Sequence, residues 1–104
     1  MRTVRVLDEA ATEAEEAVAW YEQERSALGS DFQSAVDAAL DLLQEDLIPS
    51  TAVPGGAGKQ GLQRLVLTRF PYDVIFVERP DHILVLAIAH HSRRPGFWRQ
   101  RLRT

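Results

Sequence analysis

Residues 62–98 read LQRLVLTRFPYDVIFVERPDHILVLAIAHHSRRPGFW and contain three apolar segments joined by short, proline-containing links. Segments 62–68 and 72–78 alternate in the manner of strands, and segment 82–89 is apolar after its first residue. A strand that is apolar on both faces is typical of a buried, central position in a sheet. The short links predict that the three strands form an antiparallel meander.

The first thirty residues predict a strand followed by a helix. Residues 2–7 alternate polar and apolar side chains, which indicates a short strand with one buried face. Asp8 is suited to cap the helix that the alanine- and glutamate-rich segment 9–28 predicts. Gly29 is expected to end this helix, because glycine commonly follows the last helical turn.

A second amphipathic helix is predicted over residues 30–47. Ser30 and Gln33 have the spacing of a capping box, and Pro49 is expected to end the helix. The very short connection predicts that the two helices form an antiparallel hairpin. Residues 48–61 are rich in glycine and proline and are expected to form a loop without regular structure.

The order of these elements predicts one α+β domain over residues 1–104, with an N-terminal strand, a helix hairpin and a three-stranded antiparallel meander in two layers. No apolar run approaches the roughly 20 residues that span a bilayer, and the N-terminus lacks a signal-peptide pattern. We therefore expect a cytoplasmic protein without a membrane partner. The absence of cysteine excludes disulfides, thiolate catalysis and cysteine-based metal sites.

Charge is unevenly distributed along the chain. Residues 1–61 carry four basic and twelve acidic side chains, whereas residues 62–104 carry eight arginines and three acids. The net charge of −3 is therefore the sum of −8 in the first, acidic half and +5 in the second, basic half. This division predicts either one anion-attracting face or pairing between the two halves.

The motif order resembles that of the RelE/ParE superfamily of bacterial toxins, on the ParE-like side. The resemblance lies in R-F-P-Y at 69–72, a strand ending in Ala-x-Ala-His at 87–90, and R-R-P-x-x-W at 93–98. It implies the same α+β fold and a toxin of a type II toxin–antitoxin pair, made with an antitoxin that wraps the helix hairpin and the sheet. RelE-like members cut messenger RNA on the ribosome, whereas ParE-like members are associated with inhibition of DNA gyrase.

The candidate binding residues are basic or aromatic side chains of the C-terminal half. Those that we expect to contact a target or partner are Arg64, Tyr72, His90, His91, Arg93, Arg94, Trp98 and Arg101. Arginine suits phosphate and carboxylate equally, so nucleic acid and an acidic protein both fit. Arg64 could instead pair with Glu78 or a helix carboxylate, and Trp98 is expected to be exposed in the basic tail.

The two adjacent histidines, His90 and His91, are expected to point to opposite faces of the strand end. They cannot jointly hold a metal from a regular strand, and we expect neither a metal site nor a cofactor. We favour a hydrogen-bonded role for His91 at the strand end, and the alternative is a general acid or base.

The resemblance leaves three functions open. It places His91 where a catalytic arginine is common and Phe97 where a catalytic tyrosine is common, and phenylalanine cannot transfer a proton. We therefore favour a non-enzymatic, ParE-like toxin that binds a cellular protein. The alternatives are a ribosome-dependent endonuclease that uses Arg64, His91 and Arg93 on mRNA, and a decayed toxin that retains only antitoxin binding.

Overall fold

A computed structural model describes residues 2–45, 51–52, 61–94 and 96–103. The elements are β1 (Thr3–Val6), α1 (Asp8–Glu24), α2 (Leu28–Gln44), β2 (Thr51–Ala52), β3 (Leu62–Val66), β4 (Tyr72–Glu78), β5 (His82–His90) and a 3₁₀ helix (Arg99–Arg103). The strands form one sheet in the order β1-β5-β4-β3-β2, in which β1 pairs parallel with β5 and the other pairs are antiparallel. The predicted α+β fold, with its helix hairpin and its meander, is confirmed.

The sheet has an apolar face on each side. On one side, Phe32, Val36 and Leu43 of α2 pack with Val74 and Phe76 of β4 in the main core. On the other, a smaller core lies between the sheet and the C-terminal segment that contains the 3₁₀ helix. Because both sides are covered, β5 is buried along its whole interior, as its apolar sequence predicted. It lies between β1 and β4, one place from the middle of the five strands.

The hairpin connection differs from the prediction at both helix ends. The first helix begins at Asp8, with Leu7 as N-cap and no side-chain cap, and ends at Glu24 rather than near residue 28. The turn residue is Ala27, in the left-handed conformation at φ 71°, and Gly29 lies inside α2. The predictions of Asp8 as a cap and Gly29 as a stop were therefore wrong.

A carboxylate from the preceding helix takes the place of the predicted capping box. The Ala27 amide donates to Oε2 of Glu22 at 3.0 Å and the Gly29 amide donates to Oε1 at 2.9 Å. Ser30 lies one turn too far along to serve as the cap. Glu22 satisfies amides that α2 cannot satisfy itself, and its negative charge sits favourably at a helix N-terminus.

We expect the substitution Ala27→Gly to raise the free energy of unfolding by about 0.5–1 kcal/mol. A left-handed φ costs an L-residue roughly 1–2 kcal/mol, and glycine avoids this cost but loses more chain entropy on folding. Urea unfolding of the full chain followed by circular dichroism measures the change. Ala19→Gly, at an exposed position within α1, is the control and should lower stability by about 1 kcal/mol.

The long connection after α2 is only partly described. Thr51–Ala52 forms a two-residue strand against Gln63 and Arg64, so the prediction that 48–61 lacks regular structure was wrong at this point. The predicted end of the second helix at Pro49 lies outside the described residues, and α2 ends at Gln44. No helix in the described ranges is long and apolar enough to cross a membrane.

Candidate functional site

A cleft of about 490 Å³ opens on the side of the sheet that the C-terminal segment covers. Its sheet wall is formed by residues of β3, β4 and β5, and the opposite wall by the segment that follows β5. The side chains that line it are Arg64, Val66, Asp73, Ile75, Ala89, His90, His91, Arg93, Arg94, Phe97, Trp98 and Arg99, with Gly96. Strand pairing sets Val66 opposite Asp73 and Asp73 opposite Ala89, which brings the three strands together at this end of the sheet.

Asp73 stands between two of the predicted site residues. Its Oδ1 accepts a hydrogen bond from Nε2 of His91 at 2.9 Å, and its Oδ2 lies 3.9 Å from Nη1 of Arg64. The Asp73 side chain is 13% exposed, whereas Arg64 and His91 are each more than 40% exposed. The carboxylate therefore orients a basic side chain on each side of it. Glu78, one of the two kinds of partner that the sequence suggested for Arg64, pairs with Arg2 at 3.3 Å.

Two more arginines, Arg93 and Arg99, line the C-terminal wall. The guanidinium of Arg93 lies 3.9 Å from the ring centroid of Phe97, in a cation–π contact. Gly96 has φ +86°, and a Cβ there would lie 2.9 Å from Nε of Arg99. The backbone at Gly96 thus leaves room for the Arg99 side chain to lie against it.

The two adjacent histidines serve different faces, as predicted. His90 packs its ring edge-on against Tyr72, with centroids 4.9 Å apart, on the side of the sheet that faces the helices. Its Nδ1 accepts a hydrogen bond from the Ser92 amide at 2.9 Å. His91 turns to the opposite side and bonds Asp73.

Tyr72 and Trp98 are used in packing rather than presented to a partner. Tyr72 contacts Phe32 and Tyr21 in an aromatic cluster, and burial, followed by the proximity of Tyr21, raises its pKa above the usual value of 10. Trp98 is 4% exposed and belongs to the second core, so the prediction of an exposed tryptophan was wrong. The physical reason is that the C-terminal segment folds back across the sheet.

Arg101 also has a structural position. It forms a two-pronged ion pair with Glu13 of α1, with Nη1–Oε1 at 3.0 Å and Nη2–Oε2 at 3.2 Å, and both side chains are less than 15% exposed. Nη1 additionally donates to the Leu86 carbonyl, and Glu13 accepts from the Ile88 amide. Arg101, which was predicted to contact a target or partner, is thus engaged within the chain in a largely buried ion pair.

The Arg101–Glu13 pair forms hydrogen bonds with backbone groups of β5 where β1 no longer pairs with it. The last partners of β1 and β5 are Val6 and Val85, and β5 continues to His90 without β1 beside it. The Leu86 carbonyl and the Ile88 amide lie just beyond this point and bond to Arg101 and Glu13. Polar backbone groups that would otherwise be buried without partners are thus satisfied by an ion pair.

The three histidines do not converge on one point. His82 lies at the other end of β5 and bonds Asp81 at 2.7 Å. Within the described part of the chain, no group of three or more His, Cys, Asp or Glu side chains is placed to hold a metal ion. Both charge arrangements that the sequence left open occur, since Arg69–Asp31 joins the two halves while other arginines gather at the cleft.

Solved structures share this architecture. A chain of the chromosomal ParDE toxin–antitoxin system from P. aeruginosa superimposes with a TM-score of 0.72 at 18% identity, over 86% of this chain and 96% of that one. A copper-bound mutant toxin from Helicobacter pylori superimposes with a TM-score of 0.64 at 11% identity, over 88% and 97%. This chain has the ParE-like toxin fold. No family model and no curated protein matches it by sequence.

Within the ParE-like fold, the cleft holds several of the residues predicted from sequence and some that were missed. Arg64, His90, His91, Arg93 and Arg94 line it, together with the largely buried Trp98. Tyr72 and Arg101 are not part of the lining. Asp73, Phe97 as a support for Arg93, and Arg99 were not predicted as parts of one site. Alternation along β4 could have placed Asp73 on the same face as Ile75, but only the register brings it to Arg64.

Proposed function

We propose that this protein is the toxin of a type II toxin–antitoxin pair, that it arrests growth by binding a cellular protein, and that a cognate antitoxin neutralises it. DNA gyrase is the target that we propose. The observation that carries the proposal is the match in fold with a chain of a ParDE system over 86% of this chain and 96% of that one. The motif resemblance to ParE-like toxins agrees with it.

The chemistry of the cleft supports binding rather than catalysis. Cleavage of RNA by its own 2′-oxygen needs a base, an acid and a cation at the phosphate. Phe97 stands where the resemblance puts a catalytic tyrosine, and its ring supports Arg93. The two tyrosines of the chain, Tyr21 and Tyr72, pack against each other in the core on the helix side of the sheet. The cleft can therefore bind an anion, but it lacks a tyrosine hydroxyl for proton transfer.

Induced expression of the chain alone in a bacterial host tests the proposal. We expect growth arrest with intact messenger RNA and altered DNA supercoiling, and relief of the arrest when the antitoxin is co-expressed. Arg93→Gln combined with Arg94→Gln should relieve the arrest by at least about tenfold in surviving colonies, because both exposed cations belong to the cleft. Arg25→Gln, at the far end of α1, is the matched control and should leave the arrest in place. Harmless expression of the folded wild-type chain would contradict the proposal and favour a decayed toxin.

One observation favours a ribosome-dependent mRNA endonuclease as the second candidate. The bond from His91 to Asp73 is the kind of contact that orients a histidine for proton transfer, and Arg64 lies beside the same carboxylate. On that mechanism His91 would be the base and Arg64 the cation at the phosphate. Rapid loss of messengers on induction, abolished by His91→Ala, would establish this function in place of gyrase binding.

The substitution Phe97→Tyr separates the two candidates further. For the binding protein we expect no messenger cleavage to appear, because a hydroxyl at this position adds a proton donor to a cleft that does not perform the reaction. The measurement is primer extension on cellular messengers after induction of each variant. Phe97→Leu, which removes the ring under Arg93, is the companion variant and should weaken the growth arrest. The appearance of cleavage in Phe97→Tyr alone would point to a nuclease that has lost one group.

A further inference from the structure

The cleft has the opposite charge to the molecule as a whole. Its lining holds four arginines, Arg64, Arg93, Arg94 and Arg99, against the single acid Asp73, while the chain carries a net charge of −3. A concave surface of one sign raises the local concentration of ligands of the other sign. The cleft is therefore suited to bind an anion, although the net negative charge of the whole chain disfavours the approach of anions elsewhere.

Two of the basic residues in the lining already contact a carboxylate of the chain itself. Asp73 accepts from His91 at 2.9 Å and lies 3.9 Å from Arg64, which shows that these groups can surround a carboxylate. The guanidinium of Arg93 is held by its contact with the Phe97 ring, so a ligand that binds it loses less conformational entropy in ordering this side chain. The Arg99 side chain lies against Gly96, which has no Cβ to displace it. Arginine binds carboxylates through two parallel hydrogen bonds, which favours planar acidic groups.

Between the cations the cleft is apolar. Val66 is 52% exposed, although it lies on a strand with one face in the second core, and Ile75 and Ala89 line the wall beside it. Exposed aliphatic surface of this kind contributes binding energy when an apolar side chain covers it. The lining thus fits a ligand that carries both acidic and aliphatic groups.

The aromatic residues of the cleft are poorly placed to bind bases. Single-stranded nucleic acid is held largely by stacking of bases on exposed rings. Of the aromatic residues in the described lining, Trp98 is 4% exposed, and Phe97 packs on the second core with Arg93 over its ring. Tyr72 contacts the helices from the other face. This arrangement favours a peptide over RNA.

We propose that the cleft binds an acidic segment of a protein partner, in which carboxylates contact Arg93, Arg94 and Arg99 and an aliphatic side chain covers Val66. The inference rests on the proposed function, because it supplies the chemistry of the partner that a binding toxin requires. Asp73, which bonds His91 and lies 3.9 Å from Arg64, adds a negative charge to the same cleft and so lowers its affinity for an acidic ligand.

Fluorescence anisotropy with the purified full chain tests this site. The probe is a fluorescein-labelled, glutamate-rich peptide that contains one leucine, and the comparison probe is a single-stranded oligouridine of equal charge. We expect the peptide to bind more tightly than the RNA. Arg93→Gln should weaken peptide binding about fivefold to tenfold, whereas Arg25→Gln, outside the cleft, should change it less than about twofold.

Two further variants test the roles of the carboxylate and the apolar wall. Asp73→Asn should tighten peptide binding about threefold, because it removes a negative charge that repels the acidic peptide and keeps the shape of the side chain. Val66→Ser should abolish the advantage of the leucine-containing peptide over one without leucine. Circular dichroism of each variant checks that it is folded. Val66 and Arg93 are exposed, so we expect both variants to fold.

The outcomes separate the site from the proposed function. Tighter binding of oligouridine, no peptide binding, or equal losses in Arg93→Gln and Arg25→Gln would overturn the acidic-peptide site. Growth arrest by the wild-type chain together with any of these results leaves the proposed function standing. Specific peptide binding by a chain that does not affect growth supports the site and contradicts the toxin function.

Discussion

The substitution Glu13→Ala is expected to lower the free energy of unfolding by about 3–5 kcal/mol. It leaves the mostly buried guanidinium of Arg101 without its ion-pair partner and the Ile88 amide without an acceptor. A small domain has a total stability of only about 5–15 kcal/mol, so we expect a substantial fraction of the variant molecules to be unfolded at growth temperature. Urea unfolding of the full chain measures the loss, and Glu9→Ala, at an exposed position on the same helix, should change stability by less than about 0.5 kcal/mol.

A double substitution distinguishes the strand-edge role from ion pairing alone. Replacing both partners with leucine removes two buried charges together, and such replacements are often neutral or stabilising. Here the Leu86 carbonyl and the Ile88 amide would still lack their side-chain partners. We therefore expect Glu13→Leu with Arg101→Leu to remain about 2 kcal/mol less stable than the wild type. A double variant as stable as the wild type would show that these backbone groups find other partners.

This result also bears on the design of toxicity experiments. Truncation of the arginine-rich tail would remove Trp98 and Arg101, which belong to the second core and to the ion pair with α1. A harmless truncated chain would then report unfolding rather than loss of target binding. Substitution of the exposed Arg93 and Arg94 tests the binding surface without that ambiguity.

The second large effect is expected for Gly29→Ala, at the start of α2. A Cβ at this position would lie 2.6 Å from the Val18 carbonyl oxygen and 2.9 Å from Oε1 of Glu22. The first of these neighbours is backbone, so the two helices would have to separate, and the Glu22 cap would be disturbed with them. We expect a loss of about 2–4 kcal/mol, from overpacking together with loss of the cap. Thermal and urea unfolding both measure it.

The adjacent substitution Ser30→Ala is the matched control for Gly29→Ala. Ser30 is exposed inside the first turn of α2, and Glu22 rather than Ser30 caps the helix. We expect a change of less than about 0.5 kcal/mol. A loss of about 1 kcal/mol would instead be the effect of removing a serine cap, as the capping-box interpretation of the sequence required.

The meander could be predicted closely from the sequence because its signals are local. Prolines and alternating apolar residues mark strand ends directly, and β4 has the predicted bounds of Tyr72–Glu78. The hairpin turn was misplaced because Gly29 offered an obvious stop signal. Its actual role is set by the close approach of α1, which a single sequence does not reveal.

The site was predicted less completely than the fold, since it depends on contacts between distant segments. The meeting of Arg64, Asp73 and His91 follows from the register of three strands, which no local pattern specifies. The burial of Trp98 and the pairing of Arg101 follow from the path of the C-terminal segment across the sheet. Nothing in the sequence around Trp98 and Arg101 distinguishes them from exposed residues of a basic tail.

The parallel pairing of β1 with β5 has a consequence for biosynthesis. Thr3 of β1 lies beside His82 of β5, so β1 cannot pair into the sheet until β5 has been synthesised. Contacts of such long sequence separation are slow to form, whereas the α1–α2 hairpin is local and can form early. We therefore expect the sheet and the cleft of the nascent chain to stay unassembled until β5 has been made. On the function proposed above, this interval would give a cotranslationally supplied antitoxin time to meet the chain as it folds.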